Sequence, residues 1–198
     1  MHGLANRAVE RFTRDTYGRE TWHGIMHRLD LGFVEFEPML TYDDAITLEV
    51  LGELALTLKK PLGEVLEDIG TYLVSHPNLE ALRRLLRFGG LDFVEFLHSL
   101  DDLPGRARLA VPDLVLPPLE LEEHARGHYS LTVGPMPEGR IAFGRVMMGL
   151  LRAMADDYGA LVFLEHKGTR ADREIIEVRV VEAAFASGRA FDLGAQLR

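Results

Sequence analysis

Four prolines within fifteen residues, Pro104, Pro112, Pro117 and Pro118, divide this 198-residue chain into two parts with different hydrophobic periods. Proline has no amide N–H and its ring crowds the carbonyl four residues back, so one continuous helix cannot cross such a stretch. Before the break the spacing is helical. Ala5, Ala8, Val9 and Phe12 share a face opposed by Arg7, Glu10, Arg11 and Arg14, and Gly18 can close that helix. Trp22, Ile25, Met26 and Leu29 form a second stripe. After a loop through Pro38, Thr41 is expected to cap a third helix whose first turn carries Asp43 and Asp44. A fourth opens at Pro61 and runs along Leu62, Val65, Leu66, Ile69, Tyr72 and Leu73 to His76-Pro77. Gly89-Gly90 interrupts the pattern before Phe93, Phe96, Leu97 and Leu100 mark a fifth helix capped by Asp92.

After the prolines, Glu120, Glu122 and Glu123 read as a solvated acidic linker. Strands are expected at Tyr129–Val133, Ala160–His166 and Glu174–Glu182, the last alternating Ile176, Val178 and Val180 against Glu177 and Arg179. One helix, Ala142–Tyr158, is embedded among them, with Phe143, Val146, Met147, Leu150 and Met154 on its apolar side. Residues 167–172 read as a hairpin loop. Helices followed by antiparallel strands with one embedded helix predict an α+β fold, read as a single domain over 1–198 with a helical part at about 1–103 and a sheet-containing part at about 126–198. The tail carrying Phe185 and Phe191 is expected to close the sheet edge, the alternative being that it meets a signalling partner.

The chain has no cysteine, which excludes disulfides, thiolate metal sites and thiolate nucleophiles. Its 31 acidic residues exceed 22 Lys plus Arg, a formal charge of −9 that opposes a general nucleic-acid role. The charged first dozen residues are not expected to act as a secretory signal, and there is no uncharged apolar run of the ~18 residues that a bilayer span requires. A cytoplasmic protein without nucleic-acid or membrane partners is expected. There is no Gly-x-Ser-x-Gly, no phosphate-binding glycine loop and no Gly-x-Gly-x-x-Gly, so a non-enzymatic role is expected as well. His23/His27 and His124/His128 have i, i+4 spacing but lack a third ligand and read as surface residues, and His2 reads as a packing residue. Met147, Met148 and Met154 read as core. The pairs Asp43/Asp44, Asp101/Asp102 and Asp156/Asp157 read as helix ends or solvated faces, and no metal ligand is assigned.

The order of short motifs carries more than any one of them. Met1-x-Gly3-Leu4-x-Asn6-x-Ala8-x-Glu10, Tyr17-Gly18-x-Glu20-x-Trp22, Tyr42-Asp43-Asp44, Gly70-x-Tyr72 and Gly90-x-Asp92-x-x-Glu95-Phe96-Leu97-x-x-Leu100-Asp101-x-Leu103 together resemble the heme nitric oxide/oxygen-binding (H-NOX) domain. The resemblance implies helices and a four-stranded antiparallel sheet around a b-type heme, with gas binding signalled to a kinase or cyclase partner.

Both heme-holding motifs depart from that family. Its Leu-Asp-x-Leu-His segment, whose histidine ligates iron, reads Leu100-Asp101-Asp102-Leu103-Pro104 here. Pro112 and Pro117 keep the register, and Pro117 corresponds to the proline that packs against the family's porphyrin. Position 104 continues the stripe of Phe93, Phe96, Leu97 and Leu100, so the helix is expected to end or kink there, with a side chain that cannot bind a metal. His98 lies six residues earlier, turned about 120° away from that face. Leu131–Arg140 lacks the family's propionate-clamping Tyr-x-Ser-x-Arg, leaving Arg140 as a candidate anion contact beside its plainer reading as a solvated loop residue. The residues and the resemblance together imply a sensory or ligand-binding domain of this fold without standard heme ligation, its cavity collapsed, filled or reused for an apolar molecule. The alternatives are a heme-dependent gas sensor with a displaced ligand such as His98 or none, and a ligand-free signalling adaptor. Pro104→His is expected to improve heme uptake. The expected partner is a separate histidine kinase or cyclase, as for a bacterial-type stand-alone domain, or a second copy of the chain.

Overall fold

A computed structural model describes residues 1–135 and 141–191. Eight α-helices and four strands occur among them: α1 (Gly3–Tyr17), α2 (Arg19–Leu29), α3 (Asp44–Leu58), α4 (Leu62–Ser75), α5 (Glu80–Arg87), α6 (Phe93–His98), α7 (Leu103–Ala110), β1 (Leu119–Ala125), β2 (His128–Val133), α8 (Phe143–Tyr158), β3 (Leu161–Arg170) and β4 (Arg173–Glu182). The strands form one antiparallel sheet in the order β1-β2-β4-β3. The α+β expectation holds.

The stripes bury where their spacing places them. Val9, Phe12, Trp22, Ile25, Leu54, Val65 and Ile69 belong to one core built by α1–α4. Phe93, Phe96, Leu97 and Leu100 join the inner sheet face, Tyr129, Leu131, Val133, Ile176 and Val178, in a second core with Met147, Leu151 and Met154. The α8 helix serves both, with Val146 in the first core and Met147 in the second. Its contact with α4 is backbone to backbone. A Cβ at Gly70 would lie 2.0 Å from the Val146 carbonyl oxygen, and one at Gly149 would lie 1.8 Å from that of Glu67. Only glycine permits such approach.

Several boundaries differ from the sequence reading. The third helix starts at Asp44 and is capped by Asp43, which accepts from Ala45 N at 2.9 Å, while Thr41 is taken up by a bridge to His2. The dense charge of Arg83, Arg84 and Arg87 hid α5. Helices extend to Ala110 rather than to about 103, and the sheet begins at Leu119 rather than about 126. The acidic stretch is the strand β1, with Leu119 buried and Leu121 half-buried between exposed glutamates. Charged side chains are what an edge strand tolerates and uses to discourage further pairing. The loop expected over 167–172 shrinks to Ala171-Asp172, both at positive φ, because β3 continues past a bulge near Gly168.

Two charges on nominally polar faces are buried. Glu10 is fully buried and accepts from Arg7 and Arg14, each at 2.7 Å, and from the Phe36 amide at 3.1 Å. Asp157, expected on a solvated face, is 3% exposed and takes a 2.7 Å bond from Arg83, itself 4% exposed. The tail explains that burial. Arg83 donates to Ala190 O and the Phe191 ring lies 4.8 Å from the Arg87 guanidinium, so the tail straps the end of α8 onto α5. Phe185 stays exposed, and the sheet edge is not where this segment packs.

The outer sheet face is held by charge. Glu177 accepts from Lys167 at 2.9 Å and Arg179 at 2.6 Å, and these two cations hold its carboxyl down at about 2, while His128 Nε2 lies 3.0 Å from the same carboxylate. A depressed carboxyl contributes stability above its unfolded value of 4.5 and loses it as pH falls toward about 2. Glu177→Gln is therefore expected to flatten the acid limb of a urea-denaturation profile between those pH values. Parallel wild-type and variant profiles would contradict that.

Candidate functional site

The two cores meet at an apolar cavity of about 110 Å³. Ala5, Ala8 and Val9 of α1 form one wall, Leu66, Ile69 and Leu73 of α4 a second, and Phe143 and Val146 of α8 a third. Leu114, Val115 and Leu116 from the segment before β1 close it. These positions follow from the stripes: the small residues of α1 face the α4 stripe, and the Gly70 and Gly149 contacts draw α4 and α8 together beside it. The lining is aliphatic and aromatic apart from Thr47, with no imidazole. Pockets that take drug-sized ligands measure about 300–1,000 Å³, several times this volume.

Neither Pro104 nor Pro117 lines this cavity. Pro117 is buried next to the lining residue Leu116. Pro104 occupies the first turn of α7, where its missing N–H costs nothing, and is only half-buried. The helix expected to reach it stops at His98, and a 3₁₀ turn over Leu100–Asp102 rotates the start of α7 about the chain axis. The tighter turn passes the buried stripe from Leu100 to Leu103 and Ala107, so position 104 leaves the inward face that the 3.6-residue period assigned to it. Arg140 lies outside the described residues.

The histidines keep away from the cavity. His23 and His27 are exposed on α2, and His98 is exposed with its ring against Tyr129 and Nε2 3.8 Å from Glu123. His124 and His128 sit on facing strands rather than one helical turn, and His124 instead pairs with Ser130 at 2.8 Å. His2 caps α1, its Nδ1 accepting from Leu4 N at 3.1 Å. Among the described residues no group of three metal-ligating side chains converges. The sequence reading misses His166 and Glu174. Glu174 Oε1 accepts from Gly144 N at 2.8 Å, capping α8 from β4, and Oε2 lies 2.9 Å from His166 Nε2. Gly144 and Glu174 are thirty residues apart along the chain, so no local spacing announces them.

Similarity to known proteins agrees with this architecture. A family model described as Haem-NO-binding matches residues 2–166. Soluble guanylate cyclase gcy-35 of Caenorhabditis elegans is 30% identical over 105 residues, 52% of this chain and 15% of that protein. The chain spans less than a fifth of the length of the curated relatives it matches. Among solved structures, an H-NOX protein from S. oneidensis superposes with a TM-score of 0.77 at 16% identity, covering 92% of this chain and 97% of that one. An unliganded Fe(II) H-NOX protein from K. algicida gives 0.75 at 16% identity, covering 99% and 100%. These likenesses fix the fold, and the family match across most of the chain fixes the relationship: this chain is a member of the haem-NO-binding (H-NOX) family.

Proposed function

We propose that this chain is a heme-independent signalling domain of the H-NOX fold, non-enzymatic in itself, acting on a kinase or cyclase partner without standard iron ligation. The observation that carries the reading is the cavity: about 110 Å³, apolar and without an imidazole, where a tetrapyrrole would need several times that space. Pro104 offers no lone pair at the family's ligand position, and its departure from the inward stripe adds to the misfit. The residues at the heme-bearing positions therefore do not suit that group. A cavity of this size suits at most an apolar molecule of a few heavy atoms, since a comparable apolar void of about 150 Å³ takes up benzene or xenon. Reading the chain as one unit rests on α8, whose two faces belong to the two cores, so a shift imposed at one is felt by the other.

Hemin titration tests the proposal. The expected result is broad, unsaturating absorbance for the protein and equally for Pro104→His, because one imidazole on α7 does not open the space between α4 and α8. That departs from the expectation drawn from the ligand motif alone. A sharp stoichiometric Soret band that shifts under carbon monoxide or nitric oxide would overturn the heme-independent reading and make the domain a gas sensor.

A further inference from the structure

A second, polar cleft lies away from the cavity, on the outer side of α1. It encloses about 340 Å³ between α1, the start of α2 and Asn78. In a chain of net charge −9, four arginines, Arg7, Arg11, Arg14 and Arg19, line this one cleft. The first three fall at i, i+4 and i+7, which puts them on one helical face.

Their charges are not equally spent. Buried Glu10 anchors the Arg7 and Arg14 guanidiniums, and Glu35 at the rim meets Arg14 at 3.0 Å and Arg7 at 3.5 Å. Asp15 Oδ2 already accepts from the Tyr72 hydroxyl at 2.6 Å and Asn78 Nδ2 at 3.3 Å. Among the described residues Arg11 and Arg19 have no carboxylate within 4.0 Å, and both are exposed at the cleft. A guanidinium carries five donors in a planar fork, so the two anchored arginines also keep N–H groups beyond those their carboxylates use. The cleft thus holds four guanidiniums against the Glu10 and Asp15 carboxylates, with Arg11 and Arg19 directly ion-paired to neither.

We propose that this cleft binds a small soluble phosphate-bearing ligand, with Arg11 and Arg19 as its charge partners and Arg7 and Arg14 as the fixed floor. A phosphate monoester carries about −1.5 to −2 charges and several acceptor oxygens, which suits forked donors and a surplus of arginine over carboxylate in the lining. The volume lies at the small end of ligand pockets, enough for a phosphorylated metabolite rather than an extended polyanion. The site is separate from the apolar cavity and stands or falls independently of the heme question.

Pyrophosphate and inorganic phosphate are the probes, titrated calorimetrically into the full chain at constant ionic strength, since screened contacts would mask a specific one. Saturable binding is expected, weakened about tenfold or more by Arg11→Gln or Arg19→Gln, the range of a lost charge-assisted hydrogen bond. Both side chains are exposed, so folding should survive, which circular dichroism checks. Arg152→Gln, an exposed arginine on α8 facing Glu67, should bind like wild type. Absence of saturable binding, or equal weakening by Arg152→Gln, would overturn the site. So would flat phosphate titrations accompanied by Arg11- and Arg19-dependent co-sedimentation with phosphatidylglycerol vesicles, since that would assign the arginines to a membrane surface.

Discussion

Gly149→Ala is expected to destabilise the protein by about 3 kcal/mol and lower its Tm by roughly 6–12 °C, although the same change stabilises an isolated helix by about 1 kcal/mol. The helix propensity of alanine is the smaller effect. A Cβ at this position would fall 1.8 Å from the Glu67 carbonyl oxygen, so α4 and α8 must separate along their contact and both cores lose packing. Gly52→Ala supplies the opposite sign. That glycine is also inside a helix, α3, but a Cβ there meets nothing within 4 Å, so only the propensity gain remains and Tm should rise slightly. Thermal unfolding followed by circular dichroism compares the two directly. If both substitutions raise Tm, the α4–α8 contact is looser than described and the small cavity beside it loses its physical explanation.

Asp157→Ala should cost about 3 kcal/mol, at the low end of the range for breaking a buried ion pair. The cost arises from the charge left behind: Arg83, 4% exposed, would keep its guanidinium without the carboxylate 2.7 Å from its Nε. Glu80 at 3.1 Å offers partial compensation, which is why the low end is expected. Replacing Arg83→Met together with Asp157→Leu should recover part of the loss, because two desolvation penalties go at once while Arg87, 3.5 Å from Asp157 Oδ2 in the wild type, keeps its charge without that carboxylate. Urea denaturation of the wild type, the single and the double variant tests the pair. A single variant within about 0.5 kcal/mol of wild type, the range of an ordinary surface substitution, would place Asp157 in solvent after all.

Legibility in the sequence differs from residue to residue. The apolar stripes of α1, α2, α4 and α6 are readable because a 3.6-residue period is a property of neighbours along the chain. The strands β2 and β4 are legible for the same reason. The strand β1 is not: its alternation is two leucines among glutamates, and an edge strand needs only one buried side. Spacing puts Pro104 in the right helical neighbourhood but on the wrong face, since nothing in the run of Phe93, Phe96, Leu97 and Leu100 announces a 3₁₀ turn. It assigns the arginines of α1 to a polar face, which holds for Arg11, but their neighbour Glu10 is buried because Phe36, twenty-six residues away, donates to it.

By itself, then, the sequence determined the fold class, the helical stripes and the family, all of which depend on local spacing and on the order of motifs. Only the tertiary structure decided the size of the cavity, the face of Pro104, the burial of Glu10 and Asp157, and the convergence of four arginines on one cleft. Those depend on partners far apart in the chain, such as Gly149 against Glu67 or Arg83 against Asp157, and periodicity carries no information about which distant surface a helix will meet.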